Sequence, residues 1–356
     1  MFNQFIRRLN TAAARQVPVS FRSADLKHTA NGTLSLPTST TTTTAAPVVI
    51  LVGGTGPIDR DGNAIQIQTQ VHSNLAEYLA SIGVASLRFD KRGVSLGGKV
   101  DNNVFYSTKV DALVADTVGA VRFASDADGA AKLGIDHSKV VVCGHSEGAL
   151  LMGRVFAALN NPGFAQDNWK SPVSLFDSST PPKPPTSKRD NAIKEIDLSR
   201  GFKGWLLRTF FKPAIMKRNH AFWVDLVNEA KWKDKDVVET MFGRGTPFPV
   251  GWWRDHYTMD LLGDFKAVDS KVLVVGGRKD LQCDSELVTK KNTDRILPNA
   301  ESVDCWVGDK LTHMLRDSDE EPSMLQLQQQ YDKQVKEPLS PEFLKVVGEW
   351  VKKTVQ

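Results

Sequence analysis

The sequence predicts an α/β protein with a mainly parallel sheet covered by helices on both sides. Three observations lead there. Short apolar runs rich in β-branched residues recur along the chain, amphipathic helical repeats separate them, and an alternating two-strand pattern precedes them all. Such alternation implies βαβ crossovers, because parallel strands need a long connection, usually a helix, between them. At 356 residues the chain is long enough to bury a large core as one or two domains.

The elements follow in order. Residues 1–16, "MFNQFIRRLNTAAARQ", place Phe2, Phe5, Ile6 and Leu9 on one helical face beside Arg7, Arg8 and Arg15, and no acidic residue occurs before Asp25. An Arg-rich, acid-poor, amphipathic extension is the pattern of a mitochondrial presequence; the plainer alternative is a short surface helix leading into a domain over 17–356. The expected compartment is the cytoplasm, with the mitochondrial matrix as the alternative that residues 1–16 raise. Residues 17–21 and 32–36 alternate as half-buried strands around an Asn31-Gly32 turn signal, and a Thr-rich tract follows that reads as an exposed loop. Further strands are expected at 48–52, 84–89, 139–143, 172–176, 271–275 and 302–307. Between them Val71, Leu75, Leu79 and Ile82 mark one helix, and Val110, Leu113, Val114, Thr117 and Val121 mark another. The last helix opens "SPEFLKVVGEWVKK", with Ser340 as N-cap and Pro341 at the first helical position. Residues 177–270 break the alternation. They read as a helical cap inserted between two strands, with 12 of the chain's 29 aromatic residues between Phe202 and Tyr257.

Composition narrows the function classes. Hydrophobic content of 41%, charged content of 24% and a net charge of +4 are ordinary for a globular protein. Nothing in them calls for nucleic acid. No apolar run approaches the roughly 20 residues a membrane span needs. Cys143, Cys283 and Cys305 are odd in number and unclustered, which argues against a disulfide framework or a zinc site. No cofactor or metal is expected, and the sequence is silent on oligomeric state.

Chemistry concentrates at residues 140–152, "VVVCGHSEGALLM". Glycine weakens the interior of a strand or helix by roughly 0.5–1 kcal/mol, so Gly144 and Gly148 need a reason. They flank Ser146 where a strand gives way to a helix, which is the context of a nucleophile elbow. A nucleophilic serine needs a base, and the base needs an orienting acid. Of the seven histidines, only His313 in "DKLTHML" follows the last strand at the sheet's C-terminal edge. The acid should leave the preceding strand at the same edge, where "KVLVVGGRKDLQCD" offers Asp280, with Asp284 as alternative. An oxyanion would be met by the backbone N–H of Glu147 and by that of Thr55, with Gly54 next, in the glycine-rich loop "LVGGTGPIDRDGN".

With these pieces in place the chain resembles the α/β-hydrolases, and more narrowly the dienelactone-hydrolase-like esterases that carry a "GSGPxDRDG" loop. The matching segments are "GTLSLP", "GGTGPIDRDGN", "FDKRGVSLGG", "GHSEGAL", "VVGGRKDLQC", "LTHML" and "PEFLKVVGEWVKK", which together span most of the chain from residue 17 onward. The resemblance implies an α/β-hydrolase fold and hydrolysis of small-molecule carboxylic esters without cofactor or metal, with Ser146 as nucleophile, Asp280 as acid and His313 as base. Gly53 stands where many relatives have His, and Ser95 replaces the second glycine of the "RGxG" turn. Asp59, Arg60, Asp61, Asp90 and Arg92 read as loop-fixing ion pairs rather than substrate contacts. Three other readings stay open. The 13 Lys and Arg against 6 Asp and Glu over residues 183–235 suit an acyl-CoA thioesterase or acyltransferase. A serine peptidase would use the same triad. An inactive scaffold that binds a small molecule or partner would use none of it.

Overall fold

The computed structural model describes residues 14–38, 45–65, 67–161, 173–176, 195, 198, 209, 234–238 and 248–356. Most of the extension at 1–16, the Thr tract and most of the cap at 177–270, including its basic stretch, lie outside the described residues.

All eight expected strands form, and they make one sheet: β1 (Arg15–Arg22), β2 (Thr29–Leu36), β3 (Ala46–Val52), β4 (Ala85–Phe89), β5 (Ile135–His145), β6 (Val173–Phe176), β7 (Lys271–Gly277) and β8 (Ser302–Gly308). Their spatial order is β1-β2-β4-β3-β5-β6-β7-β8. β2 pairs antiparallel with both β1 and β4, and every other neighbouring pair is parallel. The expected N-terminal hairpin therefore lies at the sheet edge, with β2 the one strand running against the rest. Its turn is not at Asn31-Gly32, which pairs with Val19 and Ser20 inside the ladder, but at residues 23–28, where the Ser23 N–H donates to the His28 carbonyl. A short antiparallel ribbon, Val94–Ser95 with Lys99–Val100, follows β4.

The continuous apolar run of β3 reflects burial on both faces. Val48, Ile50 and Val52 join one core cluster, while Val49 and Leu51 join the other. Helix α1 (Val71–Ser81) and α5 (Pro341–Thr354) cover the second face through Leu75, Leu79, Phe343 and Val347. Helix α2 (Val110–Ser125) and α3 (Met152–Leu159) cover the first through Val114, Val118, Val155 and Phe156. The Ser340 hydroxyl accepts from the Phe343 N–H and Pro341 opens α5, as its sequence predicts. Among the described residues the cap region contributes helix α4 (Val250–Thr258) and a short helical turn at Leu261–Asp264.

Because the strands are parallel, β3, β4, β5, β7 and β8 deliver their C-terminal ends to one edge. The segments starting at Gly53, Asp90, Ser146, Arg278 and Asp309 all emerge there, and that edge is where an open α/β sheet offers a crevice.

Candidate active site

Ser146 closes β5 with φ 54° and ψ −118°, a left-handed conformation that costs a residue with a Cβ energy and persists only where its surroundings impose it. The surroundings are visible. A Cβ on Gly148 would sit 2.3 Å from the Val52 carbonyl oxygen, and one on Gly144 would sit 2.5 Å from the Gly148 carbonyl. Both glycines are there because two backbones cross at contact distance, so the elbow is clamped between β3 and the turn Glu147–Leu150 that follows it.

Gly54 lies directly against the serine. A Cβ built on it would come within 3.0 Å of Ser146 Cβ and 3.6 Å of Ser146 Oγ. The loop after β3 is thus beside the elbow. Neither the Thr55 N–H nor the Glu147 N–H donates a hydrogen bond among the described residues. Behind Gly53 stands the His72 ring, whose Cε1 would be 3.1 Å from a Cβ at that position. The room that a side chain at 53 would take is filled from α1, so glycine there leaves the loop packed.

His313 and Asp280 meet. His313 Nδ1 lies 2.9 Å from Asp280 Oδ2, with both side chains buried. The other carboxylate oxygen accepts from the Gln282 and Cys283 N–H groups at 2.6 and 3.1 Å, which fixes the acid on its own loop. Asp284 is exposed and caps the short turn Ser285–Leu287 by accepting from the Glu286 N–H. Asp280, Cys283 and His313 bring ligand-type atoms within 4.8 Å of one another, but the carboxylate and imidazole of this trio already face each other.

Two residues that carry no role in the sequence reading hold the histidine loop. His145, next to Ser146, approaches the His313 carbonyl oxygen at 3.0 Å through Nε2, and the two rings lie 5.2 Å apart. Burial first, then the neighbouring His313 and His72, push the His145 imidazole down to about 3, so it is neutral and its Nε2–H donates. Arg316 is fully buried and donates to the carbonyls of Met314, Glu337 and Thr69 at 2.9, 2.8 and 2.6 Å. It sits three residues past His313, and no periodicity marks it.

The charged residues of the glycine-rich loop are spent internally. Arg60 pairs with Asp90, Arg88 with Asp61, and Arg92 with both Asp116 and Asp25. Asp59 accepts from the N–H groups of Asp61, Asn63 and Gly97. Lys91, which the sequence does not single out, bonds the Gly54 carbonyl and Glu147 Oε2, each at 2.5 Å. Glu147 Oε1 accepts from Trp252 Nε1 at 2.8 Å, with His256 Nε2 at 2.9 Å, which ties α4 to the elbow. Burial opposes the charge of Glu147, yet Lys91 and then His256 hold its carboxyl down at about 2. A cleft of about 590 Å³ opens from Thr55 and Gly56 between Phe105, Trp252 and Trp253.

A largely parallel sheet in this strand order, with helices on both faces and a strained serine at the end of β5, has the α/β-hydrolase fold. No protein-family model and no curated protein sequence matches the chain. Among solved structures it is similar to an esterase of Pyrococcus furiosus, at 16% identity and TM-score 0.52 over 99% of this chain and 94% of that one. It is also similar to a fungal esterase from Rhizomucor miehei, at 13% identity and TM-score 0.55 over 96% of this chain and 83% of that one. A third is the protein DcsB in complex with a substrate analogue, at 12% identity and TM-score 0.51 over 96% and 99% of the two chains. At these identities the likeness is one of fold.

Proposed function

We propose that the chain is a serine hydrolase of small carboxylic esters, in the manner of the dienelactone-hydrolase-like esterases. The observation that carries the reading is the strained Ser146, held against Gly54 on one side and joined through its neighbour His145 to the backbone of His313 on the other. In this reading Ser146 Oγ attacks the ester carbonyl while His313 takes its proton at Nε2. Asp280 keeps the proton of His313 on Nδ1 and stabilises the imidazolium that forms. The oxyanion is met by the N–H groups of Thr55 and Glu147, and His313 returns its proton to the departing alkoxide. Water then cleaves the acyl-enzyme by the same route in reverse. The Pyrococcus and Rhizomucor neighbours are both esterases, which agrees with this reading.

The described walls of the cleft suit the apolar part of a neutral ester. Among the described residues Phe105, Leu113, Trp252 and Trp253 line it, and Lys91 and Arg92 at its border are paired with Glu147, Asp25 and Asp116.

The test is labelling with a fluorophosphonate probe, peptide mapping, and hydrolysis of short-chain aryl esters. The adduct is expected on the peptide containing Ser146, and Ser146→Ala should lower turnover by on the order of 10⁶ on the scale measured for subtilisin. A folded Ser146→Ala variant that hydrolyses esters at the wild-type rate refutes the assignment.

A further inference from the structure

The Gly54 carbonyl and the Thr55 N–H belong to one peptide unit, and a planar trans peptide points them in opposite directions. Whatever fixes the carbonyl fixes the N–H. Here the carbonyl is held by the Lys91 ammonium at 2.5 Å. The same ammonium reaches Glu147 Oε2 at 2.5 Å, and Glu147 supplies the other backbone N–H that faces the serine in the reading above. Both side chains are largely withdrawn from water, Lys91 at 12% and Glu147 at 1% exposure, so the pair is little screened by solvent. The Glu147 carboxylate cannot swing away, because its second oxygen is held by Trp252 with His256 beside it.

We infer that Lys91 is a positioning residue for the oxyanion site: it holds the Gly54–Thr55 peptide with its N–H turned toward Ser146 and locks that loop to the nucleophile elbow through Glu147. The inference rests on the serine-hydrolase reading. Its physical content is directional. If the peptide rotates, a carbonyl oxygen replaces an N–H at the place where negative charge develops, and attraction becomes repulsion. The ester ground state carries little charge on that oxygen, so the loss falls on the transition state. Lys91 also borders the cleft, and a lysine that merely touched substrate would act on binding instead.

The experiment compares wild type, Lys91→Met and Lys91→Arg on an aryl ester and on an alkyl boronic acid, which forms a tetrahedral adduct with an activated serine. Lys91→Met is expected to lower kcat by about 10- to 100-fold with KM little changed, the scale of a misplaced catalytic group. Boronate affinity and the rate of fluorophosphonate labelling should fall by a similar factor, and Lys91→Arg, which keeps a cationic donor, should recover part of the loss. Because Lys91→Met takes the lysine cation away from the buried Glu147 carboxylate, the double variant Lys91→Met/Glu147→Gln is measured as well. It removes that charge, and the same kcat loss is expected in it.

Wild-type kcat and boronate affinity in a folded variant of either kind overturn the inference while leaving the serine-hydrolase reading in place. So does a loss confined to KM, which would make Lys91 a substrate contact. Absence of label on Ser146 in the wild-type protein overturns the reading and this inference with it.

Discussion

Two buried histidines should make the fold sensitive to mild acid. His72 and His145 are both withdrawn from water. Burial above all, with nearby positive charge, pushes His72 down to about 4 and His145 down to about 3. In the unfolded chain each titrates near 6.5. Between pH 6.5 and about 4 the unfolded state therefore binds protons that the folded state refuses, and stability falls as pH falls. Over the interval from pH 7.5 to 5 each histidine crosses about 1.5 units below its unfolded value, which at 1.36 kcal/mol per unit is about 2 kcal/mol. Together they remove about 4 kcal/mol, a large part of the 5–15 kcal/mol that a typical domain has. Asp116 acts the other way. Burial, only partly countered by Arg92, raises it to about 6, so the fold takes up a proton there in the lower half of the window. The assay is urea unfolding at pH 7.5 and pH 5, followed by tryptophan fluorescence, for wild type and for His72→Gln/His145→Gln. The difference between the two proteins isolates the histidines, and it should shift by about 4 kcal/mol across the interval. Histidine Cε1–H resonances provide a direct check. An unchanged difference, or midpoints for His72 and His145 above pH 6, would refute the reasoning.

Further outcomes follow from the geometry of the site. Asp280→Asn should lower kcat by about 10⁴, the scale of a lost tautomer-fixing carboxylate, whereas Asp284→Ala should leave kcat within about threefold because that side chain only caps an exposed turn. Ester-hydrolysis kinetics separate the two. Gly148→Ala drives a Cβ to 2.3 Å from the Val52 carbonyl and should destabilise the fold by about 3 kcal/mol or more, read by urea unfolding; wild-type stability would contradict the elbow packing. Arg316→Met strips the donor from three carbonyls and should cost about 3 kcal/mol by the same measurement, with less than about 1 kcal/mol counting against its bracing role.

Much of the architecture was legible in the sequence because it is written in local periods. The Val71–Ser81 helix announces itself through Val71, Leu75 and Leu79, and the β3 run is apolar because both its faces are buried. One contact of the candidate site was legible where chain order and strand ends suffice: the loops after β7 and β8 bring Asp280 and His313 together without any knowledge of packing. The braces were not legible. Lys91 meets partners 37 and 56 residues away, His145 meets a carbonyl 168 residues on, and Arg316 donates to one 247 residues earlier. Each bond goes to a single atom and has no repeat, so nothing in the local sequence distinguishes these side chains from solvated ones. Asp90 and Arg92 read as loop-fixing charges, while nothing local marks Lys91 between them.

The braces share one logic. A serine at φ 54° and, in the inference above, a loop peptide with its N–H turned inward are both arrangements a free chain would abandon. The elbow is kept in place by steric exclusion, since Gly144 and Gly148 let backbones approach until no other path is open. The loop is confined less tightly: a Cβ on Gly54 would come to 3.0 Å from Ser146 Cβ, but one on Gly56 would meet nothing within 4 Å. Its orientation must come from a directional bond, and the bond available is the one from Lys91 to the Gly54 carbonyl. Steric clamping and charge-assisted hydrogen bonding therefore divide the work of preorganisation at this edge. Substitutions at the glycines should show first in stability, and substitutions at Lys91 first in turnover.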